Sequence, residues 1–407
     1  MIDRQSTTWG DVCELRYGKG LRGYKDAVGA VPVYGTNGPV GWCDEPLSKI
    51  PSVIIGRKGA YRGVHYSNKP FYVIDTAFFV VPTSQLDTKW AYYNLLTVDI
   101  NGMDSGSAIP STSRDDFYRL PLNLPPLTEQ KAIASVLGAL DDKIENNRRM
   151  NETLEEMARA IFKSWFVDFD PVHAKAAGNA PAHMDADTAA LFPSSFGDDG
   201  LPVGWNEGPM SETITLIGGG TPKTKEASYW GGDINWFSVV DAPSTSDVWV
   251  IDTQKKITKL GLDNSSAKLL PPKTTIISAR GTVGKTALTL REISMNQSCY
   301  GVVGAAGYSS YYTYFSVLKM VTELQANAHG SVFDTITTGT FSSVTVTKPP
   351  TEISNRFDKL VETLLSKISN NLRENQTLAE LRDTLLPKLM SGEIRVADAE
   401  REVEAAV

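Results

Sequence analysis

The residues best placed for chemistry are Ala279-Arg-Gly-Thr-Val-Gly284-Lys285-Thr286, which follow a strand-like run and satisfy the loose spacing of a phosphate-binding loop. Such a loop works when a helix starts at its Lys-Thr and aims free amide N–H groups at the phosphates. Here Leu288 and Leu290 recur at period two, as in a strand. A second stretch, Gly56-Arg-Lys-Gly59-Ala-Tyr-Arg62-Gly63, keeps the turn glycines and basic residues without the Gly-Lys-Thr ending. Both share a basic, glycine-permitted turn: Arg57, Lys58 and Arg62 in one, Arg280 and Lys285 in the other. From such turns side chains can reach a nucleic-acid groove or a phosphate; a solvated β-turn is the plainer alternative. A second loop pair has the same character: Gly18-Lys19-Gly20 with Arg22, and Gly218-Gly219-Gly220-Thr221-Pro222-Lys223. Asn37 in YGTNG and Asn235 in DINWFS offer amides suited to bidentate adenine readout, or to ordinary turn chemistry.

Other chemistries find no residues. His65, His173, His183 and His329 lack metal-ligand spacing and a nucleophile partner. Cys13, Cys43 and Cys299 are too scattered for a zinc knuckle or a disulfide framework, which fits a reducing cytoplasm. Asn123-Leu-Pro-Pro126 departs from the Asn-Pro-Pro-aromatic signature of amino-methyltransferases, because Leu124 interrupts it and no aromatic follows. No glycine-rich loop suits S-adenosylmethionine, so the chain is expected to catalyse nothing by itself and to carry no cofactor. No apolar run reaches the length of a membrane span, and the polar start MIDRQSTTWGDV is no signal peptide. The formal charge of −7 disfavours a uniformly basic nucleic-acid binder but allows local basic patches.

The elements that must position these turns repeat. Sliding the 407-residue chain by 224 positions lays Pro125-Pro126 on Pro349-Pro350, Lys143-Ile144 on Lys367-Ile368, Asn146-Asn147 on Asn370-Asn371, and Gly106-Ser107 on Gly330-Ser331. Residues 1–127 read as a β-rich unit, with runs VPVYG, SVIIG, FYVID and AFFVV between Gly, Asn and Pro turns, and a short helix from Lys89 to Thr97. Residues 201–350 repeat the plan, with Trp205 answering Trp9 and TIIS answering VIIG. After each unit comes a heptad seam, over 128–172 and 351–395. The first seam is Ile133, Leu137, Leu140, Ile144, Asn147, Asn151, Leu154, Ala158, Ile161 and Trp165; in the second, Arg382 alone breaks the apolar stripe. Roughly 36 residues at about 1.5 Å each make rods on the order of 54 Å. Antiparallel pairing sets the register pair Asn147 and Asn151 against Asn371 and Asn375, giving each buried amide a partner. Parallel pairing matches the amides as well, so connectivity must choose. Residues 173–200 read as a connector with one short helix near 186–191, and 396–407 as an acidic tail. The fold class is therefore α+β: two mixed, β-rich domains joined by two long helices in a coiled coil, whose sense the seam alone does not fix.

The order globule, rod, linker, globule, rod resembles the specificity subunit of a type I restriction-modification system. The likeness is carried by PPLTEQKAIASVLGALDDKIENNRRMNETLEEMARAIFKSWFVDFDPV, by MDADTAALFPSSF and by LLPKLMSGEIRV. It implies that the two long helices form an antiparallel coiled coil and that each globule recognises double-stranded DNA, so that a bipartite target is read across a non-specific gap. It further implies two methyltransferase subunits carrying S-adenosylmethionine, which flip and methylate adenine, with a motor-nuclease subunit joining for cleavage and no membrane involved. Glu129, Gln130 and the outward rod faces are then expected to seat the methyltransferase. A P-loop NTPase built on Ala279–Thr286 and a coiled-coil scaffold without DNA contact remain the alternatives.

Overall fold

In the computed structural model, residues 4–103, 110–327 and 335–406 are described; His329 and the aligned Gly106-Ser107 and Gly330-Ser331 lie outside them. The chain forms two compact units, Met1–Ile144 with Gln376–Val407, and Glu145–Asn375. Both long helices, Leu127–Phe166 and Thr351–Ser391, contribute to both units.

The first unit holds a four-stranded antiparallel sheet in the order Cys13–Tyr17, Ala77–Pro82, Ser52–Gly56, Val64–Ser67. Its central run, SVIIG, is buried throughout, which explains why the sequence is continuously apolar rather than alternating. A three-stranded sheet sets Val31–Gly35 between Gly38–Cys43 and Tyr72–Val73. Gln5–Thr8 pairs with Pro121–Leu124, and the short helix covers Thr88–Leu96. Within this unit 127–144 runs antiparallel to 376–391. Near one end Arg4 bridges Glu129 and the carbonyls of Leu389 and Met390; further along, Asp141 meets Arg382.

The second unit repeats the plan. Thr275–Ser278 lies between Cys299–Gly304 and Thr286–Thr289 in a five-stranded sheet edged by Ile214–Gly218 and Trp249–Val250. Trp230–Phe237 is the middle of a three-stranded sheet, Asn206–Pro209 pairs with Thr345–Lys348, and a helix spans Ser310–Asn327. Here 145–166 runs antiparallel to 351–375. Asn147 Nδ2 donates to Asn375 Oδ1 and Asn371 Nδ2 to Asn151 Oδ1, each at 2.9 Å, an arrangement possible in the antiparallel sense alone.

One reading needs correction and two gain detail. Trp205 is not the counterpart of Trp9: it precedes its strand, whereas Trp9 follows one. Met210 holds the equivalent place, since Trp9 N donates to Leu120 O and Met210 N to Val344 O, positions 224 apart. The connector over residues 173–200 carries the short helix expected near 186–191 and a packed segment before it. Asp170–Ala176 and Ala186–Ala190 are helical, Val172 and Phe192 are buried, and Phe192 meets Trp165 edge-on at 5.2 Å. In the acidic tail Val396–Ala406 is a helix whose Ala399 enters the first unit's core, its charges lying on the other face.

Candidate nucleic-acid interface

The basic turns sit at one end of each larger sheet, where the chain's backbone fixes them. In the first unit Lys58 bridges to Ser111, Thr112 N donates to Arg57 O, and Arg57 N donates to Thr76 O. In the second, Arg280 bridges to Thr335, Ile336 N donates to Ala279 O, and Ala279 N donates to Ser298 O. Lys58 and Arg280 are thus the same position in two copies, and both side chains are exposed. The neighbouring glycine loop joins the same rim. Gly18 N donates to Ala77 O and Gly219 N to Cys299 O. A Cβ would come within 2.0 Å of Ile74 O at Gly18 and within 1.8 Å of Asn296 O at Gly219. These glycines therefore allow one backbone to pass close beneath another, not a phosphate to enter.

Around the first rim Arg57 lies 4.8 Å from the Tyr17 ring centre and donates to Asp75 O, while Lys19 and Arg22 are exposed. Arg114 lies 4.5 Å from the same ring, a cation the sequence reading missed because it merely opens a short Ser113-capped helix. Asn37 is exposed at the tip of the Val31–Cys43 hairpin, its amide facing the Tyr61 carbonyl, and Thr36 Oγ1 ties that tip to Lys58 O at 2.9 Å. In the second unit Lys285 is exposed on the hairpin's return and its N–H reaches Ser278 Oγ at 2.9 Å. Thr221 hydrogen-bonds Gln297, and exposed Lys223 accepts the Trp230 indole N–H on its carbonyl. Lys255 lies 5.9 Å from the Trp230 ring, a basic-aromatic pairing that sequence spacing does not reveal.

Several candidates do not present themselves. Arg62 is 2 % exposed and turns inward, its guanidinium donating to Asn101 O at 2.6 Å. Asn235 is 3 % exposed in the middle strand of its sheet, where it cannot meet a base. Glu129 is engaged by Arg4 at 2.6 Å. Gln130 is buried, accepting from Asp87 N and donating to Gln85 O and Pro125 O, so it fastens the long helix to the globule and offers a partner nothing. Ala279–Thr286 joins two antiparallel strands, which removes the helix start a nucleotide loop requires.

Among the described residues no group of His, Cys, Asp and Glu is arranged to hold a metal, and no helix is long and apolar enough to cross a membrane. Burial pushes the Cys13 and Cys299 thiols up to about 12, the opposite of an activated nucleophile.

Residues 1–156 and 202–382 match the family model described as type I restriction modification DNA specificity domain. The chain is similar to the HindI type I restriction enzyme specificity subunit of Haemophilus influenzae, at 30 % identity over 375 residues, covering 79 % of this chain and 81 % of that one. It is also similar to the MjaIX type I restriction enzyme specificity subunit of Methanocaldococcus jannaschii, at 24 % over 327 residues, covering 78 % and 72 %. Its fold matches the crystal structure of a type I restriction-modification S subunit from M. genitalium with a TM-score of 0.61 at 16 % identity, covering 95 % of this chain and 96 % of that one. With two copies of the family domain, each ending in a long helix and each presenting an exposed cation on the same turn, the chain belongs to the type I restriction-modification specificity subunits, the non-catalytic polypeptides that recognise DNA sequence.

Proposed function

We propose that each unit reads one part of a two-part DNA target and that the chain seats methyltransferase subunits which supply S-adenosylmethionine and the adenine chemistry. A motor-nuclease subunit completes the assembly for cleavage. The observation that carries this reading is the equivalence of Lys58 and Arg280, two exposed cations held by matching backbone bonds in matching turns. Lys19, Arg22, Arg57 and Arg114 in the first unit, and Lys223, Lys255 and Lys285 in the second, neutralise phosphates and fix register, and base-edge contact is assigned to Asn37 and Thr221. With Glu129 and Gln130 engaged internally, the methyltransferase surface falls to the outward helix faces, where Met150 and Met157 are 44 % and 48 % exposed one heptad apart.

The test is adenine-methylation sequencing of cells co-expressing the methyltransferase with Lys58→Ala or Arg280→Ala. Each substitution is expected to relax discrimination about tenfold in the half of the target that its own unit reads and to leave discrimination in the other half unchanged. Equal loss across both halves from either substitution would contradict the assignment of one half to each unit.

A further inference from the structure

Asp141 and Arg382 break the repeat. In the first unit Arg382 Nη1 donates to Asp141 Oδ1 at 2.7 Å, and the buried Tyr93 hydroxyl donates to Asp141 Oδ2 at 2.6 Å. Shifted by 224 positions these residues become Leu365 and Ala158, both fully buried in the second unit's aromatic core. The asparagines do not differ in this way. Asn147 corresponds to Asn371 and Asn151 to Asn375, so the two amide pairs are copies of each other.

This difference bears on which helix each helix accepts. Two copies of the first helix, laid antiparallel in the observed register, would set Asn147 against Asn151 of the second copy and keep both amides bonded. Two copies of the second helix would do the same with Asn371 and Asn375. The amides fix register and direction, and they are blind to whether a helix meets its own repeat or the other one. The charges are not blind. Like-with-like pairing would place Asp141 opposite Ala158 of a second copy and Arg382 opposite Leu365 of a second copy, leaving partly desolvated ions without each other.

We propose that the Asp141–Arg382 pair is a partner-selection device: it makes each long helix pair with the other repeat and rejects the like helix of a second copy, while the covalent tether makes the repeat of the same chain the nearer choice. Mixed assemblies that pair like helices of different chains are thereby disfavoured. The pair sits at the one end of the repeat where an otherwise apolar seam is interrupted.

The test uses the full chain in two differently tagged forms expressed together, with one tag captured and the other quantified, and folding checked by circular dichroism and thermal melting. The double variant D141L/R382A copies the other end of the repeat. It is expected to fold and to raise cross-capture about tenfold over the unsubstituted chain, since each mixed dimer then escapes the loss of two ion pairs. The exchanged variant D141R/R382D is expected to stay as unmixed as the original. R382A alone, which keeps Asp141 on Tyr93, serves if the double variant fails to fold and carries the same expected rise. A folded D141L/R382A or R382A protein that mixes no more than the original overturns the proposal, as does an exchanged variant that mixes as freely as D141L/R382A.

Discussion

In the first unit the short helix Thr88–Leu96 is capped by its own neighbour, Asp87, whose carboxylate accepts from Trp90 N at 2.8 Å; the long helix then holds Asp87 in place through Gln130. In the second unit the corresponding helix, Ser310–Asn327, is capped from a distance. Asp358 on the long helix accepts from Ser309 Oγ at 2.6 Å, from Tyr311 N at 3.0 Å and from Tyr312 N at 2.9 Å. One joint uses a local cap steadied by a neutral amide, the other a buried carboxylate aimed at a helix N-terminus. The helix ends differ in the same spirit: Leu385, Leu389 and Met390 pack in the first unit, whereas Phe162, Trp165 and Phe166 interlock with Phe315 and Phe357 in the second. Duplication copied the architecture and left each copy to find its own chemistry for the same connection.

The comparison can be broken most sharply at Asp358. Asp358→Ala leaves the Tyr311 and Tyr312 amides unpaired at a buried helix start, with Ser309 Oγ keeping Ser354 O, and is expected to cost about 3 kcal/mol in denaturant-induced unfolding. Gln130→Ala, which frees neutral groups, is expected to cost about 2 kcal/mol. If the two losses ranked in the opposite order, the local cap in the first unit would depend on the long helix more than the carboxylate joint does.

Smaller is the effect of removing one amide pair. Asn151→Leu with Asn371→Leu is expected to change stability by about 1 kcal/mol or less, because both polar partners leave together. Asn371→Leu alone strands the Asn151 carbonyl and is expected to be the more destabilising of the two; double-mutant denaturation curves distinguish these outcomes.

Smallest is a pH effect. Burial raises the Asp358 carboxyl above its ordinary 3.8, against the pull of its Ser309, Tyr311 and Tyr312 donors. The folded state then holds this proton more tightly than the unfolded chain, so its contribution is present at low pH and lost as pH rises from 3.8 through the raised value. Asp358→Asn is expected to flatten that slope in melting temperature against pH, and an unchanged slope would assign the dependence to another group.

Much of the architecture was legible because it rests on periodicity. The 224-residue repeat, the heptad seams and the mid-seam asparagines are statements about spacing, and spacing survives whatever surrounds it. The strand after Gly284-Lys285-Thr286 was legible for the same reason, since leucines at period two cannot line one face of a helix. The site was less so. Arg57 and Arg62 look alike in sequence, yet one stacks on Tyr17 and the other is buried against Asn101. Arg114 reaches the rim across a long stretch of chain, and Lys255 meets Trp230 through strand pairing that no local pattern announces.

The sequence by itself determined the duplication, the two long helices and their register asparagines, because local propensity and regular apolar spacing require no knowledge of neighbours. Only the tertiary structure decided that Arg382 is Asp141's partner and not a flaw in the seam, that Gln130 is a fastener and not a docking residue, and which basic side chains face outward. Whether a charge is paired, buried or free depends on what lies across from it, and that is fixed by residues far away along the chain.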